Sequence, residues 1–250
     1  MIPEPDVFTR YLERTRWFSG KGRPFEVASV RRIGEVPCGS TEDPAVVIDL
    51  VEVAYGDETG GSEVYQVPMA LYEHPETRLD HAFIGWWEDP DHGWVHAYDA
   101  LHDRVAMSCW QLAFHEAASQ AGGNLNDDAS GLRFHRIGEH ELDLDTHSTL
   151  FSGEQSNSSV AYGEDALMKV FRKITPGVNP DISVHDVLTR TGSEHIAKLY
   201  GWLDWVDEDA DGGAGTTLQL AMLQEFLRTA SDGWDLALAS VRNLYAEADL

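Results

Sequence analysis

The segment from Phe151 to Arg172 constrains the fold of this chain more than any other. It reads FSGEQSNSSVAYGEDALMKVFR, in which a small, hydroxyl-rich stretch from Gly153 to Ser159 lies between two apolar runs of extended character. Lys169 lies inside the second run, between Met168 and Val170. A charged strand residue with apolar neighbours loses solvation unless its ammonium group reaches a partner or water. The pattern predicts a hairpin followed by a strand with one functional lysine. The alternative is an edge-strand lysine that reaches water.

Protein-kinase-like folds hold ATP with such an arrangement. A hairpin covers the phosphates with backbone N–H and hydroxyl groups, and the next strand projects a lysine onto the α- and β-phosphates. On this interpretation the hydroxyl-rich stretch covers the phosphates and Lys169 binds them.

Composition excludes two classes of partner. The 250 residues carry a formal net charge of −25, with 43 acidic residues against 18 basic ones. Nucleic acid and anionic membranes would be repelled by most of such a surface. With 42% hydrophobic residues, a chain of 250 can form one large domain or two small ones with a sizeable core. We therefore expect a soluble protein that binds neither nucleic acid nor membrane.

The cysteines and the N-terminal segment bear on localisation. Cys38 and Cys109 are far apart in the sequence and have no metal-binding spacing, which favours reduced cysteines in the cytoplasm. The first residues, MIPEPD, lack the basic and apolar regions of a secretory signal, and no run approaches the roughly 18 apolar residues of a membrane helix. These features predict a cytoplasmic protein.

Hydrophobic periodicity and turn residues give the expected secondary structure. Helices are predicted at 6–16, 105–118, 176–190 and 232–248. Strands are predicted at 27–33, 45–55, 64–71, 94–98, 132–137, 196–203 and 218–226, with two more on either side of the hydroxyl-rich stretch. The order of these elements predicts an α+β fold in which a β-rich module and a helical connector precede a five-stranded lobe.

Six motifs, spread along the chain, resemble those of the actinobacterial maltokinases. They are RWFSGKGR at 16–23, GEQSNSSV at 153–160, LMKVFR at 167–172, GVNPDI at 177–182, HIAKLYG at 195–201 and GWDLALASVR at 233–242. Members of that family use ATP to convert maltose to maltose 1-phosphate in α-glucan and glycogen synthesis, and their fold is like that of eukaryotic protein kinases.

The resemblance implies an α+β fold with a protein-kinase-like N-lobe preceded by a β-rich N-terminal cap. Residues 1–95 would form the cap, 96–146 an intermediate subdomain, and 147–228 the nucleotide-binding N-lobe and hinge. Residues 229–250 would begin a C-lobe that is otherwise absent.

The resemblance also implies roles for particular residues. The phosphate-covering loop would contain Ser156, Asn157, Ser158 and Ser159. Lys169 would bind the α- and β-phosphates of ATP, and the backbone around Glu225 and Leu227 would pair with the adenine edge as the hinge between lobes.

Two departures from the family pattern limit what the chain can do alone. Neither a His-Gly-Asp triplet nor an Asp-Phe-Gly or Asp-Phe-Glu run occurs, so no residue of this chain is assigned as catalytic or as a metal ligand. The ligands of Mg²⁺ are expected in the absent C-lobe. In addition, Ser183 occupies the position at which the family has the glutamate that pairs with the strand lysine, and Asp186 is the nearest acidic residue on that helix face.

The sequence leaves two candidate functions, which belong to different classes. The first is the N-terminal portion of an ATP-dependent, maltokinase-like sugar kinase that is inactive without its C-lobe. The second is a non-catalytic regulatory or interaction module derived from such a kinase. A maltose-like acceptor would bind only where a C-lobe is supplied, and glucosamine is an alternative acceptor.

The last predicted helix bears on the partners of the chain. It carries Trp234, Leu238, Val241 and Tyr245 on one face. We expect that apolar stripe to fray, to associate with a second molecule, or to receive a C-lobe partner chain.

Two further groups of residues leave alternatives open. A basic cluster contrasts with the acidic composition: Arg14, Arg16, Lys21, Arg23, Arg31 and Arg32. It would pair either with acidic residues of the missing lobe or a partner, or within its own domain. Trp86 and Trp87 would stack on sugar rings or pack in the core.

Overall fold

The computed structural model describes residues 5–40, 44–120, 122–126, 131–151, 156–208, 215–228 and 233–248, and in the last helix the side chains of 236–246. The helices are α1 Pro5–Arg14, α2 Arg104–Ser119, α3 Pro180–Arg190 and α4 Gly233–Ala248. The strands are β1 Phe25–Val36, β2 Ala45–Tyr55, β3 Ser62–Tyr72, β4 Phe83–Asp89, β5 Gly93–Asp99, β6 Asn124–Asn126, β7 Leu132–Arg136, β8 Ser148–Leu150, β9 Asn157–Tyr162, β10 Ala166–Phe171, β11 Lys173–Ile174, β12 Leu199–Asp207 and β13 Thr216–Glu225. Short 3₁₀ helices cover Thr77–Ala82 and Ala100–His102.

The strands form two antiparallel sheets. The first sheet has the order β1-β2-β3-β5-β4, and β11 pairs with β3 beside it. The second sheet has the order β6-β7-β12-β13-β10-β9-β8. The chain is therefore a mixed α/β protein with mostly antiparallel sheets and a few helices.

The first sheet is covered on both faces. Alternate residues of β2, such as Val47, lie on one face of the sheet and pack with Phe8 and Leu12 of α1. The residues between them, such as Ile48, lie on the other face and pack with Trp110 of α2 and with the second sheet. Because neither face is left to solvent, the middle of β2 is a nearly continuous apolar run and not an alternating one.

One short segment of chain belongs to both sheets. Phe171 ends β10 in the second sheet, and Lys173 already pairs with β3 in the first. Gln66 of β3 fastens this crossing, because its backbone N–H donates to the Arg172 carbonyl at 2.8 Å and its side-chain amide donates to the carbonyls of Phe171 and Leu220. The two sheets are thus joined at the end of the strand that carries Lys169.

Arg172, at the crossing, forms a buried ion pair with Asp99 at the end of β5. Its Nη2 donates to Asp99 Oδ2 at 2.7 Å, and the two side chains are 1% and 3% exposed. Its Nε donates to Ser158 Oγ at 2.8 Å, its guanidinium lies 4.6 Å from the Trp17 ring centroid, and the Tyr11 hydroxyl donates to Asp99. The pair therefore links the N-terminal segment and the first sheet to the second sheet.

The environment of Asp99 decides its protonation. Burial alone would raise the pKa of this carboxyl, but the charge of Arg172, together with His102 and the Tyr11 hydroxyl, holds the pKa below its usual value. Burial and the charge of Asp99 raise the pKa of Tyr11 well above its usual value. Asp99 is thus the anion of the pair and Tyr11 the neutral donor.

Most predicted elements are present, and the main differences concern β4, α3 and β12; the short strands β6 and β11 were also not predicted. The strand β4 was not predicted, because its sequence FIGWWED does not alternate cleanly; pairing with β5 holds it in the sheet. The helix expected from residue 176 begins at Pro180, where the side chain of Asn179 caps it. The strand predicted at 196–203 is shifted to Leu199–Asp207, since pairing with β7 and β13 outweighs its acidic residues.

The cysteines correct the expectation of reduced thiols. Cys38 and Cys109 form a disulfide with a Cα–Cα distance of 4.6 Å, although 71 positions separate them. Cys109 lies on α2, which packs on the first sheet, and Cys38 follows β1 of that sheet. Sequence separation gave no hint of this proximity, because the packing of α2 creates it.

The helix α4 presents apolar side chains to solvent. Leu236, Val241, Leu244 and Tyr245 are between 49% and 69% exposed. Leu238 is half-buried, and the side chain of Trp234 lies outside the described residues. Over the described part of the chain, no helix is both long and apolar enough to cross a membrane.

The disulfide is testable by thiol titration. We expect the denatured, unreduced chain to show no free thiol, and its reduction to lower the free energy of unfolding by about 4 kcal/mol because the loop that it closes is long. A thiol reagent in denaturant measures the first quantity, and urea unfolding with and without reductant the second. Two free thiols in protein purified without reductant would contradict the disulfide.

The Asp99–Arg172 pair predicts a large effect of Asp99→Asn. The substitution leaves a buried guanidinium without its counter-charge, and we expect a loss of about 3 to 5 kcal/mol in the free energy of unfolding. Urea unfolding near neutral pH measures this loss. Asp186→Asn is the matched control, because Asp186 accepts a hydrogen bond from Arg190 on the helix surface and should cost less than about 0.5 kcal/mol.

The same pair predicts a pH dependence. Because the pKa of Asp99 is lowered in the folded protein, its stabilising effect is present above the unfolded pKa of about 4 and is lost as pH falls through the folded value. The difference in stability between the parent chain and Asp99→Asn should therefore shrink in acid. A difference that stays constant down to acid unfolding would show that the pair does not stabilise the fold.

Candidate functional site

Lys169 lies in the middle of β10, between β9 and β13. It stands opposite Ser159 on β9 and opposite Met222 on β13. Alternation along the strand buries its neighbours Met168 and Val170 in the core between the sheets and directs Lys169 to the other face. The apolar neighbours of Lys169 therefore pack in the core, and Lys169 itself lies on the opposite face of the sheet.

The partner of Lys169 is Asp181, in the first turn of α3. Lys169 Nζ donates to Asp181 Oδ2 at 2.7 Å. The helix start is fixed by Asn179, whose side chain accepts from the Asp181 N–H at 2.9 Å and whose own N–H donates to Gln219 Oε1 on β13 at 2.6 Å. Capping and the tie to β13 together place the Asp181 carboxylate above β10.

Sequence reasoning missed Asp181 as the partner of the lysine. It pointed to the later positions Ser183 and Asp186, but the Ser183 hydroxyl donates to the Pro180 carbonyl and Asp186 accepts from Arg190. The first turn of α3, and not its middle, reaches β10. The signal was available in the sequence, because Asn179-Pro180 marks a helix start and places Asp181 in the first turn.

The pair is only half-buried. The side chain of Lys169 is 28% exposed and that of Asp181 is 47% exposed. Ion pairs in such surroundings contribute little to stability, since water screens the charges. The Lys169 ammonium can therefore share its hydrogens with a second anion at small cost.

The four residues assigned to the phosphate-covering loop do not share one environment. Asn157, Ser158 and Ser159 are the first residues of β9, because pairing with the apolar residues of β10 outweighs their turn propensity. Ser156 is exposed just before the strand, and residues 152–155, which contain the start of the loop motif, lie outside the described residues.

The faces of β9 separate these side chains. Ser159, opposite Lys169, lies on the lysine face. Ser158 lies on the other face, where its buried hydroxyl accepts from Arg172 Nε. The structure therefore brings Ser159, which is buried, to the same face as Lys169 and places Ser158 at the sheet crossing. Asn157, at the start of β9, lines a cavity together with Ser158 and Arg172.

The predicted hinge residues follow the end of β13. The backbone N–H of Glu225 donates to the Lys198 carbonyl at 2.8 Å and is thereby engaged within the protein. Leu227 lies beyond the strand, is 43% exposed, and has a backbone N–H without an acceptor among the described residues. The ring of Phe226, between them, lies 5.8 Å from that of Phe151 at the start of the loop.

No metal centre is formed by the described residues. Nowhere in that part of the chain do three His, Cys, Asp or Glu side chains come together in a way that could hold an ion. The residues described thus do not fit a Mg²⁺ site by themselves.

The basic cluster is divided by its contacts. Arg23 pairs with Asp57, and Arg32 pairs with Asp49 and Asp89, all within the N-terminal part of the chain. Arg31 reaches across to Asp207 at the end of β12 in the second sheet.

The two tryptophans differ in burial. Trp87 packs in the core beside α1. Trp86 is 61% exposed, and its ring lies 5.2 Å from that of the exposed Trp94.

Comparison with known proteins identifies part of the chain. A family model described as the maltokinase N-terminal cap domain matches residues 11–103. This range contains part of α1, the strands β1 to β5 and both 3₁₀ helices, and it ends at the residue that caps α2.

Two solved structures, both titled glucosamine kinase, are similar to the whole chain. Crystal form B has 19% identity and a TM-score of 0.50, and the match covers 100% of this chain and 44% of that one. Crystal form A has 18% identity and a TM-score of 0.46, and the match covers 100% and 47%. The form B match shows a shared fold only, and this chain spans less than half the length of either structure. The family match shows that residues 11–103, which contain the first sheet and part of its flanking helix, are similar to the maltokinase N-terminal cap domain, and these residues are called the cap below.

Proposed function

We propose that this chain is the cap and nucleotide-binding lobe of an ATP-dependent sugar kinase similar to maltokinase. The observation that carries the proposal is the Lys169–Asp181 pair, between a central strand and the first turn of the helix that follows it. Protein kinases pair the lysine of their third strand with an acidic residue on the next helix, and that lysine binds the α- and β-phosphates of ATP. Here β8, β9 and β10 are three successive strands, the third carries Lys169, and α3 follows.

The geometry of the pair supports phosphate binding. Asp181 orients the ammonium group, and the half-exposed setting leaves its remaining hydrogens available to phosphate oxygens. Asp181 also weakens the part of the sequence argument for the regulatory-module alternative that rested on the serine at position 183.

The adenine ring would lie against the segment after β13. The engaged N–H of Glu225 is not available to a ligand, so the N–H of Leu227 is the donor that would meet the adenine edge. Phe151 and Phe226, whose rings are in contact, would flank the base with apolar surface.

The chain's own residues would bind and orient ATP, and other residues would complete phosphoryl transfer. Transfer depends on positioning and on neutralising the phosphate charge, which Mg²⁺ supplies when bound. We assign neither the base nor the metal ligands to this chain, since its sequence contains no His-Gly-Asp or Asp-Phe-Gly run. The acceptor is proposed to be a maltose-like sugar, with glucosamine as the alternative.

The exposed apolar residues of α4 would form a contact with further polypeptide. At about 25 cal/mol per Å² of apolar surface, leaving several large side chains in water costs several kcal/mol, which is comparable to the stability of a domain. A C-lobe would cover this face, or a second copy of the chain would do so in isolation.

Substitution of Lys169 tests the nucleotide site. We expect Lys169→Ala to weaken ATP binding about ten- to hundredfold, because it removes a charge-assisted contact to the phosphates. Asp181→Asn should produce a smaller loss through misorientation of the lysine. Isothermal titration calorimetry with ATP measures both affinities.

The control is Lys173→Ala. Lys173 lies four positions along the chain and pairs with Glu63 of the cap, so its loss removes the same charge away from the proposed site. An equal loss of ATP affinity in the two alanine variants, or no ATP binding by the parent chain, would contradict the assignment.

Light scattering tests the role of α4. We expect the isolated chain to self-associate, and Leu244→Glu to return it to a monomer because the new charge lies in the apolar contact. Ala239→Glu is the matched control, since it adds the same charge at another exposed position of α4. A parent chain that is monomeric at all concentrations, with α4 protected from hydrogen exchange, would show that this face needs no partner.

A further inference from the structure

A cavity between the cap and the second sheet has an unusual charge. It encloses about 440 Å³ on the side of β9 and β10 opposite to Lys169. The cap contributes Arg14, Arg16, His81 and His102, and the second sheet contributes Asn157 and Ser158. Arg172 and Asp99 lie between these two groups of residues.

Among the described residues, carboxylates do not balance the positive charge of the cavity. Three arginines and a single carboxylate line it, and that carboxylate, Asp99, is already paired with Arg172. Arg14 donates to the Phe83 carbonyl, and Arg16 has neither an ion pair nor a hydrogen bond among the described residues. A chain with a net charge of −25 has many carboxylates that could neutralise such a site, yet two guanidinium groups here have no carboxylate partner in the part of the chain that the structure describes.

A second cavity has the opposite balance of charge. About 410 Å³ lie between the sheets beside Arg31, where Glu52 and Asp207 give two carboxylates to one arginine. Asp207 accepts a hydrogen bond from Arg31 at 2.7 Å. The cavity beside Arg31 therefore has no excess of positive charge, in contrast to the cap cavity.

Buried polar atoms give an independent indication of a ligand. Nη1 of Arg172 is buried and has no acceptor among the described residues, although the other two nitrogens of that group are bonded to Ser158 and Asp99. An unpaired N–H of a buried guanidinium is costly unless an oxygen reaches it. Ser158 uses its oxygen as an acceptor from Arg172 Nε, so its hydroxyl proton remains free to donate.

We infer that this cavity binds a phosphate group, either as inorganic phosphate or as the phosphate of a small phosphorylated metabolite. Guanidinium groups bind phosphate oxygens through planar pairs of N–H donors, and hydroxyl and amide donors complete such sites. The volume is within the range of small-molecule pockets and exceeds what one phosphate fills. The anion would connect the cap to the start of β9, and hence to the hairpin beside Lys169.

This site differs from the proposed ATP site in its main polar residues, although Phe151 borders both. Ser158 and Arg172 lie on the face of β9 and β10 opposite to Lys169 and Ser159. Phosphate binding can therefore be measured in the absence of ATP, and its failure would leave the proposed function untouched.

Calorimetry with inorganic phosphate tests the inference. We expect one phosphate to bind per chain and Arg16→Gln to weaken binding about tenfold, which corresponds to the loss of one charge-assisted contact. Arg16 is exposed at the rim, so the variant should fold, and an unchanged melting temperature without phosphate checks this. Arg10→Gln is the matched control, because Arg10 is exposed on α1 nearby in the chain and does not line the cavity.

Three results would overturn the inference. They are no phosphate binding by the parent chain, an equal loss in Arg10→Gln and Arg16→Gln, and displacement of phosphate by chloride at matched ionic strength. A fourth contradicting result would be competition between phosphate and ATP, with an equal loss of affinity for the two ligands in Arg16→Gln. The cavity would then be the nucleotide site.

Titration with glucose 6-phosphate distinguishes free phosphate from a phosphorylated metabolite as the ligand. Tighter binding than that of inorganic phosphate, with the same sensitivity to Arg16→Gln, supports a phosphorylated metabolite. Equal or weaker binding supports free phosphate.

Discussion

The buried pair of Arg172 and Asp99 fixes how the cap and the second sheet meet. Arg172 is the residue at which the chain leaves the second sheet for the first, and Asp99 ends the last strand of the cap sheet. Their ionic hydrogen bond, with the hydroxyls of Ser158 and Tyr11 and the face of Trp17, holds three parts of the chain at one point. Burying two charges is costly, and a pair of this kind specifies an arrangement more than it adds net stability. The pair therefore connects the cap to the second sheet in a defined arrangement.

The same arrangement explains how β10 contributes to the candidate nucleotide site on one face and to the cap cavity on the other. The end of β10 is fixed by Arg172 and by the two carbonyls that Gln66 binds, so Lys169, three residues earlier, has a fixed position. The capped start of α3 brings Asp181 to the lysine from the opposite face. Side chains on rigid elements position a ligand better than side chains on loops. The candidate nucleotide site and the cap cavity then lie on the two faces of the same strands.

The sequence predicted those features that depend on local pattern. The apolar runs of the cap strands, the helix at 105–118 and the strand position of Lys169 were all visible as periodicity. Contacts that depend on packing were not visible: the Cys38–Cys109 disulfide, the choice of Asp181 over Ser183 and Asp186, and the buried role of Ser158. Hydroxyl-rich residues 157–159 were expected in a loop because their propensity favours turns, but pairing with β10 makes them a strand. Propensity is a weak prior wherever a partner strand is available.

The proposed contact between Lys169 and the phosphates of ATP can be tested chemically with an acyl-phosphate derivative of ATP. Such a reagent transfers its acyl group to a lysine that contacts the phosphates, and the lysines of this chain are Lys21, Lys169, Lys173 and Lys198. Mass spectrometry of the digested protein then measures the acylation of each one, with and without excess ATP. We predict that Lys169 is acylated first and that ATP protects it. Acylation spread over Lys21, Lys173 and Lys198, without protection of Lys169, would contradict the proposed nucleotide site.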